Sequence, residues 1–442
     1  MKTTFDHSVS EVSVSTNRIC RRSGFSRRSK LASLALPFLA AAIFAVLLRQ
    51  TVLAAPTPGT LVIWGDQTLS YVEPGTRFTK LAAGGLHSLA LKQDGTVVAC
   101  GWNYAGQAIV PGDLTNVMAV AAGYQHSLAL KSDGTVVGWG RSDYDRLNIP
   151  VGLSNVVAVA AGGSHNLALK PEGTLVAWGN RYYDQLNFPA GLSNVTAIAA
   201  GAFHGLALKQ DGNVVAWGAN DYAMATVPDG LSDVAAIAAG DYFNLALERD
   251  GTVVAWGHNY YGETTVPIGL SNVVAIAAGA SHSLALKRDG TVVAWGNNDA
   301  GKTAVPVSLN NVVAIAAGYQ HSLALKQDGT VVAWGTNNLG QTGVPPGLSN
   351  VVSIAAGGTR SLAIVQPLAF RPTTLSAKIS GGILIFSWPA IPSRTYRLRY
   401  KSSLDETLWT DLPGDIAASN DTATASDPVS VTSRFYRFVL LP

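Results

Sequence analysis

The sequence has very little cysteine, which limits how the fold can be stabilised. Only two cysteines, Cys20 and Cys100, occur among its 442 residues. Cys20 precedes an apolar run typical of an export leader, so the mature chain would retain Cys100 alone and could form no internal disulfide. Stability must therefore come from a packed core.

Charged residues are also scarce, at 13% of the chain, and their positive balance comes from one segment. The formal net charge is +3. Residues 1–54 contain eight basic and two acidic residues, which leaves 23 basic and 26 acidic residues in the rest of the chain. Nucleic-acid-binding proteins present a concentrated positive surface. We therefore expect no nucleic-acid partner.

The amino-terminal segment has the layout of an export signal. Five basic residues between positions 21 and 30 precede an apolar run over residues 31–48, and small residues around Ala54 form a cleavage-like site. We predict a signal peptide over residues 1–54 and a secreted, periplasmic or cell-surface protein. The run is also long enough for an uncleaved signal anchor, the one case in which we expect contact with a membrane.

Repetition is what the sequence has in abundance. Tryptophans recur every 39 residues, and Cys100 holds the slot before the first of them: Trp139, Trp178, Trp217, Trp256, Trp295 and Trp334. Within one unit, Asp289-Gly290 separates two apolar runs and favours the positive φ of a tight hairpin turn. A further β-branched run precedes them, so we predict three antiparallel strands per unit. A recurring proline makes the fourth stretch an edge strand or irregular.

The two ends of the repeat array are complementary. Residues 59–65 match the third strand of a unit, and residues 351–364 match the first two strands. Such halves pair the first strand of a ring with its last, whereas an open solenoid needs polar caps. We therefore predict an all-β protein with a closed β-propeller over residues 55–366. The tryptophan slots give eight blades, and a short linker after Trp64 leaves seven blades with one displaced unit as an alternative.

The repeated patterns Ala-Ala-Gly-x-x-His-Ser-Leu-Ala-Leu-Lys-x-Asp-Gly and Val-Ala-Trp-Gly-x-Asn-x-x-Gly-Gln resemble the repeat of the regulator of chromosome condensation family. The short period is similar to a bacterial branch that includes the type II beta-lactamase inhibitory protein. The resemblance covers about residues 59–366 and implies a propeller. It also implies inhibition of a secreted hydrolase as an alternative function. The family's founder is a guanine-nucleotide exchange factor that binds chromatin, but no inserted loop resembles an exchange wedge, so we do not expect exchange activity.

The carboxy-terminal region departs from the repeat. We predict a linker over residues 367–374 and a small β-sandwich of fibronectin or immunoglobulin type over residues 375–442. Alternation along residues 395–400 places Tyr396 and Leu398 inward and Arg397 outward. This region resembles a terminal module of secreted proteins from some Gram-negative bacteria, which implies a spacer or attachment role.

One histidine recurs at the start of the second strand of most units: His87, His126, His165, His204, His282 and His321. Each lies in a different blade, so the set lacks tetrahedral metal spacing. We predict no metal and no cofactor, and we expect each histidine to hold its own turn by a hydrogen bond. No catalytic set stands out from the repeat, so we do not predict an enzyme. We expect Trp102 to share the space left by the tryptophan missing at Cys100.

Variation between units is confined to one end of the blades. With the first strand running upward, the turns before the histidine slot and after the tryptophan slot share a top face, and the Asp-Gly turns lie at the bottom. The top loops carry the unpatterned aromatic residues Tyr104, Tyr124, Tyr144, Tyr182, Tyr183, Phe203, Tyr222, Tyr242, Tyr260, Tyr261 and Tyr319. Tyrosine-rich loops are favoured at protein interfaces.

We therefore predict a monomeric, non-catalytic binding or scaffold protein that recognises a protein partner through its top face. The rival interpretation is a polysaccharide ligand, or an enzyme that acts on polysaccharide at the top of the channel. Such an enzyme would need two acidic residues converging there.

Overall fold

The computed structural model describes residues 59–66, 72 and 75–366, and parts of a second unit: residues 11–14, 376–380, 383–389, 395–401, 410–418, 422–428 and 434–440. The chain divides into two compact units. The larger unit comprises residues 36–367, and the smaller unit comprises residues 1–35 and 368–442. The apolar run at residues 31–48 and the predicted linker lie outside the described residues. None of the helices in the described ranges is long and apolar enough to cross a membrane.

The larger unit contains eight three-stranded antiparallel sheets, which we number as blades 1–8. The first strands are Phe78–Ala83, Val117–Ala122, Ala158–Ala161, Val195–Ala200, Val234–Ala239, Val273–Ala278, Val312–Ala317 and Val351–Ala356. The second strands are His87–Lys92, His126–Lys131, His165–Leu169, His204–Lys209, Phe243–Glu248, His282–Lys287, His321–Lys326 and Arg360–Val365. The third strands are Val97–Gly101, Val136–Gly140, Leu175–Gly179, Val214–Gly218, Val253–Gly257, Val292–Gly296, Val331–Gly335 and, for blade 8, Thr60–Gly65. The connectors include two short 3-10 turns, Asp143–Asp145 and Asp299–Gly301.

The Asp-Gly turn both reverses the chain and joins consecutive blades. In blade 6, Gly290 has a φ of +79°, and Asp289 Oδ1 accepts hydrogen bonds from the Thr291 amide and hydroxyl at 3.0 and 2.6 Å. The Gly290 carbonyl then accepts the amide of Val312, the first residue of blade 7, at 3.0 Å. The connector from one blade to the next therefore returns to the bottom face. The proline-bearing stretches contribute no fourth strand to the described sheets, so of the two alternatives, an edge strand or an irregular stretch, the irregular one holds.

The ring closes between blade 8 and blade 1. Thr60–Gly65 pairs antiparallel with Arg360–Val365, from Thr60 opposite Val365 to Gly65 opposite Arg360. The Gly358 amide donates to the Gly84 carbonyl at 3.1 Å, and the Gly85 amide makes the same bond to the Gly123 carbonyl at 3.2 Å. Blade 8 therefore contacts blade 1 as other neighbouring blades contact each other. The larger unit, as described, is an eight-bladed ring, so the seven-bladed alternative is wrong.

The core lies between neighbouring blades. Trp295 of blade 6 packs with Phe243 and Leu245 of blade 5, and its indole N–H donates to the Glu263 carbonyl at 2.8 Å. Leucines of the second strands, such as Leu284, are fully buried. The tryptophan slots therefore serve inter-blade packing, as predicted from their spacing.

The smaller unit has two sheets around one core. One sheet contains Ser376–Ser380, Ile383–Pro389 and Thr422–Pro428, and the other contains Glu11–Val14, Thr395–Lys401, Thr410–Asp411, Ile416–Ala417 and Arg434–Leu440. Phe386 and Trp388 of the first sheet pack with Tyr396 and Leu398 of the second. Arg397 faces outward, paired with Asp411 and Asp415. These features fit the predicted sandwich. The strand Glu11–Val14 belongs to the segment that the sequence assigns to the leader.

Candidate functional site

Aromatic rings form one continuous strip across a sector of the top face. Successive ring centroids lie 4.7 to 6.3 Å apart along Tyr182, Tyr183, Phe203, Tyr242, Tyr222, His258, Tyr260 and Tyr261. These eight residues are called the aromatic strip below. They come from the connectors that precede blades 4, 5 and 6 and from the first turns of blades 4 and 5. The two kinds of loop therefore share one face, as the sequence predicted.

The aromatic strip leaves large side chains in contact with water. Tyr182 is 82% exposed and Tyr260 is 79% exposed. Most successive pairs meet edge to face, an arrangement that the ring quadrupole favours. Single exposed aromatic residues are common on soluble proteins, whereas a contiguous exposed patch marks an interaction surface.

Buried polar side chains fix the loops that carry the aromatic strip. The Tyr182 amide donates to Asn180 Oδ1 at 2.7 Å, and the Tyr183 amide donates to Gln185 Oε1 at 2.8 Å. Gln185 is fully buried beneath its loop. These bonds hold the two tyrosines on an ordered backbone. Less conformational entropy would be lost when such a surface binds a partner.

Sequence reasoning missed two residues at the centre of this surface, His258 and Glu263. Glu263 is buried where other units carry Gln107, Gln185 and Gln341. Its Oε1 lies 3.1 Å from His258 Nδ1, and its Oε2 accepts the Tyr261 amide at 2.8 Å. Glu263 thereby positions the ring that joins Tyr222 to Tyr260. The slot is variable, with Arg146, Met224 and Lys302 in the remaining units, so the single acidic residue among these side chains was the available signal.

Four predicted residues lie outside the aromatic strip. Tyr104 projects into solvent, 95% exposed. Tyr144 lies beside the Arg146 guanidinium, whose Cζ is 5.4 Å from the ring centroid. Tyr124 and Tyr319 turn toward the central axis, where their ring centroids are 5.9 Å apart at the mouth of the channel. Burial raises the pKa of both of these phenols.

The recurring histidines are buried between blades. His126 Nε2 lies 2.6 Å from Asn166 Oδ1 of the next blade, and His282 Nε2 lies 3.0 Å from Ser322 Oγ. The expectation that each histidine holds its own turn was wrong in this respect, because the side chain reaches the following blade. Burial lowers the pKa of these six histidines to about 3 or 4. Among the described residues, no group of three His, Cys, Asp or Glu residues is placed to hold a metal.

Arg360 occupies the histidine slot of blade 8, and its guanidinium lies against blade 1 beside the slot where Cys100 stands in place of a tryptophan. It is completely buried, and a Cβ built on Gly101 would lie 2.5 Å from its Cζ. The neighbouring Cys100 is also buried, and this burial raises the pKa of its thiol to about 11 although Arg360 opposes the shift. Trp102 is 46% exposed, so the expectation that it fills this space was wrong.

The mouth of the channel contains one carboxylate among its described lining residues, Asp241. A polysaccharide-acting enzyme would need two acidic residues there. The described lining does not contain that pair.

Comparisons with known proteins identify the fold. The sequence matches the RCC1-like domain over residues 65–364. Yeast RCC1 (Prp20), in its complex with Kap60, is 21% identical over 79% of this chain and 97% of its own, with a TM-score of 0.50.

Two further solved structures are similar at lower TM-scores. Prp20p from Saccharomyces cerevisiae, studied for its binding to Gsp1p and histones, is 22% identical over 70% of this chain and 92% of its own, with a TM-score of 0.49. The CRINKLY WD40 ectodomain of the Arabidopsis thaliana receptor kinase ACR4 is 21% identical over 59% of this chain and 98% of its own, with a TM-score of 0.46. No curated protein matches the chain in sequence.

Proposed function

The chain belongs to the RCC1-like domain family, and we propose that it is a non-catalytic propeller that binds a protein partner through the aromatic strip. The observation that carries this proposal is the unbroken contact of eight rings across three connectors and two turns of one face. Large, rigid side chains bury much area for little lost entropy. A few of them are expected to supply most of the binding energy, at about 2 kcal/mol or more each.

Charge around the aromatic strip favours a basic partner. Asp184 and Asp221 are exposed on the connectors that carry its tyrosines, and Arg181 is an exposed basic residue on the first of these connectors. Arg181 in turn lies 3.8 Å from Asp145. Complementary charge at the rim of an apolar patch speeds association and fixes orientation more than it adds affinity. The partner should therefore present an apolar centre with basic residues beside it.

One protein with a similar fold has a solved complex with a protein partner. Yeast RCC1 (Prp20) was crystallised with Kap60 bound. The identity of the present partner does not follow from this likeness, because propellers of one fold bind unrelated proteins. The leader-like sequence at residues 1–54 supports a site of action outside the cytoplasm, and the carboxy-terminal sandwich is proposed as a spacer or attachment module.

The proposal is tested by capture with a strip variant and a matched control. Wild-type mature protein is immobilised and exposed to the culture supernatant and envelope fraction of its own organism. Replacement of Tyr182, Tyr183, Tyr260 and Tyr261 by alanine should abolish capture of the partner and leave the melting temperature nearly unchanged. Tyr104→Ala is the control, because Tyr104 is an exposed top-face tyrosine outside the strip.

Capture should survive Tyr104→Ala. If the quadruple variant retains the partner at wild-type affinity, the binding surface lies elsewhere. Equal loss in the quadruple variant and Tyr104→Ala would also contradict a role confined to the aromatic strip.

A further inference from the structure

The mouth of the central channel encloses a cavity of about 170 Å³ that is built from all eight blades. Each blade contributes an alanine and a glycine from the end of its first strand. The glycines are required by crowding: a Cβ at Gly123 would lie 2.6 Å from the carbonyl oxygen of Gly162 in the next blade. The wall is therefore narrow, uniform and mostly without functional groups.

Three side chains break this uniformity. In each blade, one residue directly follows the glycine at the end of the first strand. It is glycine or alanine in five blades, and in the other three it is Tyr124, Asp241 or Tyr319. These three residues belong to blades 2, 5 and 7, none of which are neighbours in the ring, yet they converge on the same cavity. The Tyr124 and Tyr319 rings lie 5.9 Å apart, centroid to centroid, and line this cavity together with Asp241. The Tyr319 hydroxyl also reaches across to blade 1, where a Cβ on Gly85 would lie 2.6 Å from it.

The carboxylate of this group has no basic neighbour in the cavity. The lining contains no lysine, arginine or histidine among its described residues. The titratable groups whose pKa Asp241 raises are the phenols of Tyr124, Tyr319 and Tyr242, which are neutral when Asp241 ionises. Partial burial raises the pKa of Asp241 to about 6, so near pH 7.5 the carboxyl is a half-buried negative charge without a counter-ion in the described lining.

We propose that this cavity binds a primary ammonium group, carried either by a small alkylamine or by a lysine side chain. An ammonium group has three N–H donors, and the Asp241 carboxylate with the two phenol oxygens offers three acceptors. An engineered cavity of about 150 Å³ holds benzene, which has six heavy atoms, so a cavity of about 170 Å³ accommodates the five heavy atoms of n-butylammonium. This inference does not depend on the aromatic strip.

The test measures binding of n-butylammonium to the full mature protein at pH 7.5 by ligand-observed saturation-transfer NMR, at ionic strength held constant with sodium chloride. Wild type should bind n-butylammonium and should bind the neutral analogue n-butanol at least about tenfold more weakly, because the charge-assisted hydrogen bonds are lost. Asp241→Asn, which preserves size, should weaken n-butylammonium binding by about tenfold or more. Asp250→Asn, an exposed turn residue on the opposite face, should leave it unchanged.

Tyr124→Phe provides a second variant, in case Asp241→Asn fails to fold, and should cause a smaller but measurable loss. Nα-acetyl-lysine amide distinguishes the two sources of the ligand: binding of both probes supports a site open to a lysine side chain, and binding of n-butylammonium alone supports a free amine. The proposal is overturned if wild type does not bind n-butylammonium, or if Asp241→Asn and Tyr124→Phe both bind it as wild type does.

Discussion

The six buried histidines should make the propeller sensitive to acid over a defined pH range. Their folded pKa values are about 3 or 4, whereas an unfolded histidine titrates at about 6.5. Below pH 6.5 the unfolded chain binds protons that the folded chain excludes. Stability is therefore complete above about pH 6.5 and falls as the pH decreases toward 4.

The size of this loss is comparable with the stability of a whole domain. One pKa unit corresponds to about 1.4 kcal/mol, so at pH 5.5 each histidine costs about 1.4 kcal/mol and six cost about 8 kcal/mol. Folded domains are stable by about 5–15 kcal/mol. Asp241 offsets a small part of this loss. Its pKa is raised in the folded state, so the folded chain binds this proton at a higher pH than the unfolded chain does. We expect acid unfolding between about pH 5.5 and 4.5.

The chain itself offers a variant that removes one titrating group. Phe243 occupies the histidine slot of blade 5 and faces Ser283 of blade 6, while His282 faces Ser322 of blade 7. A Cβ on Gly240 would lie 2.3 Å from the Phe243 ring, and one on Gly279 would lie 2.5 Å from the His282 ring, so the two pockets are built alike. His282→Phe should therefore fold. When the pH is lowered from 7.5 to 5.5, the free energy of unfolding of His282→Phe should fall by about 1.4 kcal/mol less than that of the wild type.

Phe243→His is the reverse control. Its free energy of unfolding should fall by about 1.4 kcal/mol more than that of the wild type between pH 7.5 and 5.5. The measurement is urea unfolding of the mature protein at pH 7.5 and 5.5, followed by tryptophan fluorescence, which reports mainly on the propeller. A stability difference between wild type and His282→Phe that is the same at both pH values would refute the assignment of acid sensitivity to these side chains.

Three further predictions concern packing and closure. Cys100→Trp should lower the melting temperature because the indole would have to fit beside the buried Arg360 guanidinium, and adding Arg360→His should recover it; no recovery in the double variant would show that Arg360 is not the obstruction. Deleting residues 55–66 removes the strand that pairs with Arg360–Val365 and should lower the melting temperature markedly, whereas melting within error of wild type would contradict closure of the ring through this strand. Trp217→Ala should cost about 3–5 kcal/mol in urea unfolding as a core truncation, and a cost below 1 kcal/mol would exclude a packing role.

The sequence predicted the strands and the closed ring because both follow from local signals. The Asp-Gly pair favours a turn of one kind, and 39-residue spacing places that turn identically in blades 1–7, with Glu172-Gly173 in its place in blade 3. Complementary half units at residues 59–65 and 351–364 were enough to predict how the ends pair. The sandwich could be predicted from a local signal as well, because the alternation along residues 395–400 specifies which side chains face the core.

The candidate site was predicted as a face but not as a set of contacts. All eleven aromatic residues have similar loop positions, yet seven of them join the aromatic strip, and Tyr124 and Tyr319 turn to the axis instead. Their direction depends on which blades lie opposite each other, and a single repeat does not contain that information. The role of Arg360 was hidden for the same reason, because it meets Cys100 only through ring closure.

The central claim is that a partner protein lies on the aromatic strip, and hydrogen exchange of the captured complex tests it most directly. Amide exchange of the mature protein is compared with and without the partner bound. We predict protection confined to residues 180–185, 202–203, 220–224, 241–242 and 258–262, with no change at the Asp-Gly turns or in residues 376–440. Protection at the bottom turns or on the sandwich, with the strip loops unaffected, would contradict this account.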